Sequence, residues 1–315
     1  MEVNTDRNSS AREIIREVSR VIAGKDAVIV KVLLAILAGG HILMEDIPGV
    51  GKTTLAVSMS RALGLEYNRV QFTPDVLPSD ITGYSLFDKN TGTMSYQRGA
   101  ILCNLFLADE LNRATSRTQS ALLQAMEEGE VTVDNHTYPV PQPFIVIATQ
   151  NPAGAKGTQL LPDSQLDRFM MRLSMGYPAH TDEMEMVRRR QSGIRAESVR
   201  RIVTREELMG LQHEVEQVYV KDSVIDYIVT LCEKTRDNPH IQQGASPRAS
   251  LALTSLAKAA AWLQKRDFVL PQDVRFSFYD CVEHRLIWKQ DVTDQASRVS
   301  VLNDVLKAVK APAIQ

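Results

Sequence analysis

Between an apolar run, Ile42 to Met44, and a segment of helical period lies Asp46-Ile-Pro-Gly-Val-Gly-Lys-Thr53. A strand that turns through glycines into a helix is the layout of a phosphate-binding loop. The glycines let backbone N–H groups close around phosphate oxygens, and the helix start adds the positive end of its dipole. On this reading Pro48, Gly49, Val50, Gly51, Lys52, Thr53 and Thr54 form a nucleotide-binding set. Lys52 reaches the β- and γ-phosphates and Thr53 holds Mg²⁺. The full spacing G-x-x-x-x-G-K-[ST] is not met, because Asp46 stands where the first glycine belongs. A carboxylate beside phosphates is unfavourable unless it points away. The bland alternative is a Gly-rich strand–helix turn with a surface lysine.

The rest of the chain repeats the strand–helix alternation. Tyr67 to Phe72, Leu105 to Ala108, Phe144 to Thr149 and Met171 to Met175 are expected as further strands. Short strands, wholly apolar at Leu105 to Ala108, alternating with helices predict an α/β fold with a parallel sheet covered on both faces. Ser10-Ala-Arg-Glu13 is expected to open the first helix as a capping box, and Ala27 to Ala38 to form the second. Another helix is expected near Ser116, with Gln119 in the capping-box position, ending at Gly129. Two hairpins are expected, one turning at Asn90-Thr-Gly92 and one at Asp134-Asn135. Beyond Tyr177-Pro178 helical period dominates: 182–191, 205–218, 223–236, 247–266 and 271–284. No strong strand signal occurs there. The expected division is a nucleotide-binding domain over 1–180, with inserts at about 80–99 and 130–141, followed by an all-α lid over 181–315.

Further chemistry follows from that frame. Leu105-Phe-Leu-Ala-Asp109-Glu110 is an apolar strand delivering acids to its C-terminal end, beside the phosphate loop. Asp109 is expected to hold Mg²⁺ through water and Glu110 to polarise the attacking water. The alternative is an exposed strand end. Asn151, after Ala148-Thr-Gln150, can sense the γ-phosphate, or else form an Asn-Pro turn. Arg168 is either a finger reaching a neighbour's γ-phosphate or a local partner of Asp167. Arg248 follows Ser246-Pro247 in the first turn of a helix, where the dipole favours an anion, or it is a solvated helix start. Arg188 to Arg190 and Arg200-Arg201 are expected as solvated faces, and Trp262 and Trp288 as core.

Composition excludes several classes. Net charge is −2, so nothing pulls the chain as a whole toward nucleic acid or an anionic membrane. Cys103, Cys232 and Cys281 have no metal-ligand spacing, and reduced cytosol is the simple reading. The most apolar stretch, Val28 to Met44, is broken by Lys31, Gly39-Gly40 and His41, so no membrane insertion is expected.

Taken in order, Glu45 to Thr53, Gln71-Phe-Thr-Pro-Asp75 with Leu77-Pro-Ser-Asp-Ile-Thr82, Ala108-Asp-Glu-Leu-Asn-Arg-Ala114, Thr149-Gln-Asn-Pro152, Leu166-Asp-Arg-Phe169 and Gly244-Ala-Ser-Pro-Arg248 resemble the MoxR family of AAA+ ATPases. The resemblance spans nearly the whole chain, and Asp46 is itself common in MoxR-like loops. It implies an αβα domain with a helical lid, assembled as a hexameric ring that binds ATP or ADP with Mg²⁺. It implies Lys52, Thr53, Asp109 and Glu110 as Walker residues, Asn151 as first sensor, Arg168 as trans finger and Arg248 as second sensor. Ile22 and Gly24 lie where such proteins contact adenine, and Arg113 is a second arginine candidate. It further implies chaperone-like action on a partner protein, often one bearing a von Willebrand factor A domain.

Two other functions stay open. A nucleic-acid motor needs cations on its insert hairpins. Glu130 to Val140 has no Lys or Arg, and the first hairpin has only Lys89 and Arg98. A nucleotide-dependent binding switch with little turnover would not need Glu110, Asn151 and Arg168 together.

Overall fold

The computed structural model describes residues 4–89, 92–151, 161–292 and 294–313. Along the chain run α1 (Asn4–Ser19), α2 (Asp26–Leu37), β1 (Ile42–Glu45), α3 (Lys52–Ala62), β2 (Tyr67–Gln71), α4 (Pro78–Thr82), β3 (Gly83–Asp88), β4 (Thr93–Arg98), β5 (Leu105–Asp109), α5 (Ser116–Glu128), β6 (Glu130–Val133), β7 (His136–Pro139), β8 (Ile145–Gln150), α6 (Asp163–Leu166) and β9 (Met171–Leu173). The helical region then comprises α7 (His180–Gln191), α8 (Arg205–Glu216), α9 (Asp222–Arg236), β10 (Ile241–Gln243), α10 (Pro247–Leu263), α11 (Pro271–Val282), β11 (Ile287–Trp288) and α12 (Gln295–Ala308).

The main sheet has the order β2-β5-β8-β1-β9, and every pairing in it is parallel. Its three central strands, β5, β8 and β1, are mostly apolar because successive side chains enter two different cores, whereas edge strand β2 is largely polar and exposed. Ile42, Met44, Leu105, Leu107, Ile145 and Ile147 face one core, which continues through α2 and α3 into α8, α10 and α11. Leu43, Phe106, Ala108, Val146 and Ala148 face the other, closed by Leu122, Leu123 and Met126 of α5. This is the α/β architecture with a following helical region that the alternation predicted. Among the described residues no helix is long and apolar enough to cross a membrane.

Both expected hairpins form, β3 with β4 and β6 with β7. Asp134 and Asn135 take φ of 48° and 64°, the left-handed pair a tight two-residue turn requires. Asn90 and Thr91 of the other turn lie outside the described residues. The hairpins meet through stacked Tyr96 and Tyr138 rings, 3.9 Å between centroids.

Several local expectations need correction. Ser10 lies inside α1 rather than capping it, since no Gly or Pro upstream stops the helix. Thr115, not Ser116, caps α5 through its side-chain oxygen. Gln119 instead donates to the carbonyls of Leu111 and Ala114. The helical region carries an additional antiparallel ribbon, β10 with β11, too short to leave a periodic signal. α12 lies beyond the last helix read from the sequence and is capped by Asp294. Arg189 is no solvated residue: its guanidinium donates to the carbonyls of Ser19 and Arg20, closing the end of α1.

Candidate active site

β1 delivers the glycine loop to the C-terminal edge of the sheet. Gly49 and Gly51 have φ of 88° and 99°, a region costly for any residue with a Cβ, and Gly51 leads directly into α3. Lys52 is the first residue of that helix and is almost wholly buried. Burial pushes its ammonium pKa down, while Asp46, Asp109, Glu110 and Glu45 oppose the shift. Its Nζ donates to the Asp46 carbonyl at 2.8 Å. An ammonium has three donors, so Lys52 keeps capacity for anionic oxygens.

Asp46 resolves the mismatch in the loop. Its carboxylate turns away from the glycines and accepts from the Ser174 hydroxyl (2.8 Å), the Met175 N–H and the Gly176 N–H (3.0 Å). The acid thus braces the segment after β9, and only its main chain faces Lys52.

The end of β5 supplies the acids. Asp109 Oδ1 accepts from the Thr149 hydroxyl at 2.7 Å. Asp109 Oδ2 accepts from Arg69, 2.6 Å from Nη2 and 3.2 Å from Nε. Glu110 follows at φ 56° and donates its N–H to Thr149 Oγ1 at 2.8 Å. Its carboxylate lies 2.8 Å from Arg113 Nη1, which gives Arg113 a place: it is the ion-pair partner of the candidate base. Asn151 is held by Asn112, whose amide donates to the Asn151 carbonyl (3.1 Å) and accepts from its N–H (3.3 Å). Pro152 lies outside the described residues.

These groups surround a cleft of about 350 Å³ lined by Pro48, Gly49, Gly51, Lys52, Thr53, Thr54, Asp109, Glu110 and Asn151. Arg69 and Gln71 line it too, and sequence reasoning missed both. Their only signal was position, since β2 pairs with β5 and sets Gln71 opposite Asp109. A left-handed glycine loop, a buried ammonium and two carboxylates fit a polyphosphate with a divalent cation. Thr53 and Asp109 both face the cleft, as a shared metal would require. Among the described residues no group of three or more His, Cys, Asp or Glu is placed to hold a metal ion.

Other expected members lie elsewhere. Val50 packs against the core. Ile22 is buried, and Gly24 sits at φ 68° against Asp182, whose carboxylate oxygens would lie 2.0 and 2.7 Å from a Cβ there. Neither lines the cleft.

Arg168 and Arg248 are at the opposite edge of the sheet, because Arg168 precedes β9 whereas the glycine loop follows β1, its parallel neighbour. They do not pair with Asp167, which instead accepts from Arg285 Nη1 (2.7 Å) and the Ser246 hydroxyl (3.0 Å). Both arginines converge on Glu127: Arg168 Nη2 lies 3.1 Å from Oε2, and Arg248 Nη2 contacts Oε1. They share a second cavity of about 370 Å³, to which His41 and Arg285 also contribute.

Residues 41–171 match the family model for the ATPase family associated with various cellular activities (AAA), and residues 233–305 match the AAA lid domain. The chain is 41% identical to the uncharacterized protein YeaC of Bacillus subtilis, over 95% of this chain and 93% of that one. It is 36% identical to chaperone MoxR1 of Mycobacterium tuberculosis, over 95% of this chain and 82% of that one. A crystal structure from Cytophaga hutchinsonii superposes with a TM-score of 0.91 at 35% identity, covering 98% of this chain and 97% of the other.

Proposed function

The chain belongs to the MoxR family of AAA+ ATPases, and from that premise we propose that it hydrolyses ATP to remodel or activate a partner protein. The cleft that gathers the glycine loop, Lys52, Asp109, Glu110 and Asn151 carries this reading. The loop N–H groups and Lys52 bind the phosphates and set the terminal one in place. Mg²⁺, held by Thr53 and Asp109, would supply charge neutralisation on the phosphate oxygens. Glu110 takes the proton of the attacking water, and Asn151 orients that water against the γ-phosphate. For Glu110 to serve, its carboxylate must part from Arg113.

Arg168 and Arg248 line no part of that cleft, and both open from one face at the far edge of the sheet. We therefore read both as acting on the nucleotide of a neighbouring copy. On this reading Arg248, the second sensor of the resemblance, serves the neighbour's site together with Arg168. It supports a closed ring, six-membered as in the resemblance, in which each site is shared by two chains. The division at about residue 180 then separates the nucleotide domain from the lid, with Ile22 and Gly24 beside the base. A client or adaptor protein, one with a von Willebrand factor A domain included, is the object of the work. Buried, unpaired Cys103, Cys232 and Cys281 fit a reducing cytoplasm.

The test is Glu110→Gln. The variant is expected to bind ATP as the wild type does, yet turn over about 10²-fold more slowly or worse. Unchanged turnover would remove Glu110 as the base.

A further inference from the structure

The far-edge cavity holds an arrangement that hydrolysis in one chain does not explain. Two guanidinium groups from distant segments, one before β9 and one in the first turn of α10, end on the two oxygens of a single carboxylate. The other charges there are already matched, because Arg285 and Asp167 pair with each other. What remains is two cations against one anion. Arg168 Nε is buried and has no hydrogen-bond partner. The site is therefore short of negative charge and of acceptors.

Glu127 is also placed against its own helix. It lies in the last turn of α5, where unpaired carbonyls disfavour an anion, and that turn contains no basic residue to offset it. Glu128 beside it adds a second negative charge. The carboxylate is 41% exposed, so water screens both its ion pairs and each is weak. An acid in this position gains little stability for the helix, and its geometric effect is to aim two arginines at one point.

We propose that Glu127 is an internal stand-in for the γ-phosphate of a neighbouring copy's nucleotide. Its two oxygens occupy the positions that two terminal phosphate oxygens would take between Arg168 and Arg248. The phosphate carries more charge and a further oxygen for the unpartnered Nε, so on assembly it displaces the carboxylate. Glu127 is then a positioning residue with two effects. It keeps the arginine pair ordered in the lone subunit, and it competes with the incoming phosphate, which sets how much protein is needed before the shared site forms. This rests on the reading that both arginines serve a neighbour.

The experiment is ATP turnover per subunit against protein concentration, with binding of a fluorescent ATP analogue measured alongside, for the full chain, Glu127→Gln, Glu127→Asp and Arg168→Ala. Glu127→Gln keeps the side-chain shape but removes the competing charge. Its half-maximal turnover is expected at about threefold lower protein concentration, the size of a screened charge pair. Glu127→Asp, which keeps the charge but withdraws it by one methylene, should fall between that variant and the wild type. A brace with a purely structural role would shift the midpoint the other way. Arg168→Ala should lose turnover at every concentration and still bind the analogue. If it does so while Glu127→Gln leaves the midpoint unchanged or raises it, the stand-in role is overturned and the shared site survives. If Arg168→Ala retains turnover, the shared site itself fails, and this inference with it.

Discussion

The two edges of the parallel sheet are built on opposite terms. At the C-terminal edge the groups satisfy one another locally: Asp109 with Thr149 and Arg69, Glu110 with Arg113, Asn151 with Asn112. At the N-terminal edge two arginines share one exposed carboxylate, and the Nε atoms of Arg168 and Arg285 stay unpaired. One edge is nearly complete in a single chain, whereas the other is balanced only by a borrowed anion. Strands of three to six residues separate them, about 10–20 Å at 3.3 Å per residue. That span is too long for any one side chain to serve both.

The strongest way to break this contrast is to mix inactive parents. Glu110→Gln spoils the C-terminal edge and Arg168→Ala the N-terminal edge. Each alone should lie about 10²-fold or more below wild type. In a mixture, some junctions pair an intact cleft with an intact arginine face, and turnover should recover to a sizeable fraction of wild type. No recovery at any ratio would mean that both edges serve the same chain.

A smaller effect tests how the C-terminal edge is braced. Asp46→Ala strips the acceptor from the buried Met175 N–H and from two part-buried groups, the Gly176 N–H and the Ser174 hydroxyl. Unsatisfied donors of this kind should cost about 3 kcal/mol in denaturant unfolding. Asp46→Asn, which keeps one acceptor oxygen, should cost less. Equal stability of Asp46→Ala and wild type would remove Asp46 as a brace.

The smallest effect lies at the arginine edge. His41 Nδ1 accepts from the Val146 N–H and Nε2 donates to the Met126 carbonyl, both at 3.1 Å, so the neutral ring is fully used. Burial pushes its pKa down to about 4 from an ordinary 6.5. As pH falls from 6.5 to 4 the unfolded chain binds a proton that the folded chain refuses, and stability drops across that window. Above 6.5 the contribution is constant. Because the residue is only partly buried by area, the loss should be about 2 kcal/mol at most. His41→Gln should flatten that part of the thermal-unfolding profile, and an unchanged slope would assign it to other groups.

Which features the sequence revealed follows from how local their signals are. The glycine loop, Asp109-Glu110 and Asn151 were legible because each is a contiguous strand end with its own chemistry. Both hairpins were legible through alternation and turn residues. The orientation of Asp46 was not, since its partners lie 128 to 130 positions away. Arg69 read as an ordinary polar strand residue until the sheet order set β2 beside β5. Glu127 read as the tail of a helix, and only the packing of α5 against the segment before β9 reveals what it holds. The β10–β11 ribbon is five residues of long-range pairing, below the reach of any periodic pattern.

The core that fills one face of the sheet does not stop at the helical region. Ile147 and Leu55 belong to the same apolar body as Leu253 and Phe278. Swinging α10 and α11 open would wet that body, at about 25 cal/mol for every Å² exposed. The cheap motion left to them is sliding, with interdigitated side chains kept in contact. In mechanical terms the sheet and the helical region are one continuous body, less a jaw than a gearbox, in which a short slide costs less than a hinged opening.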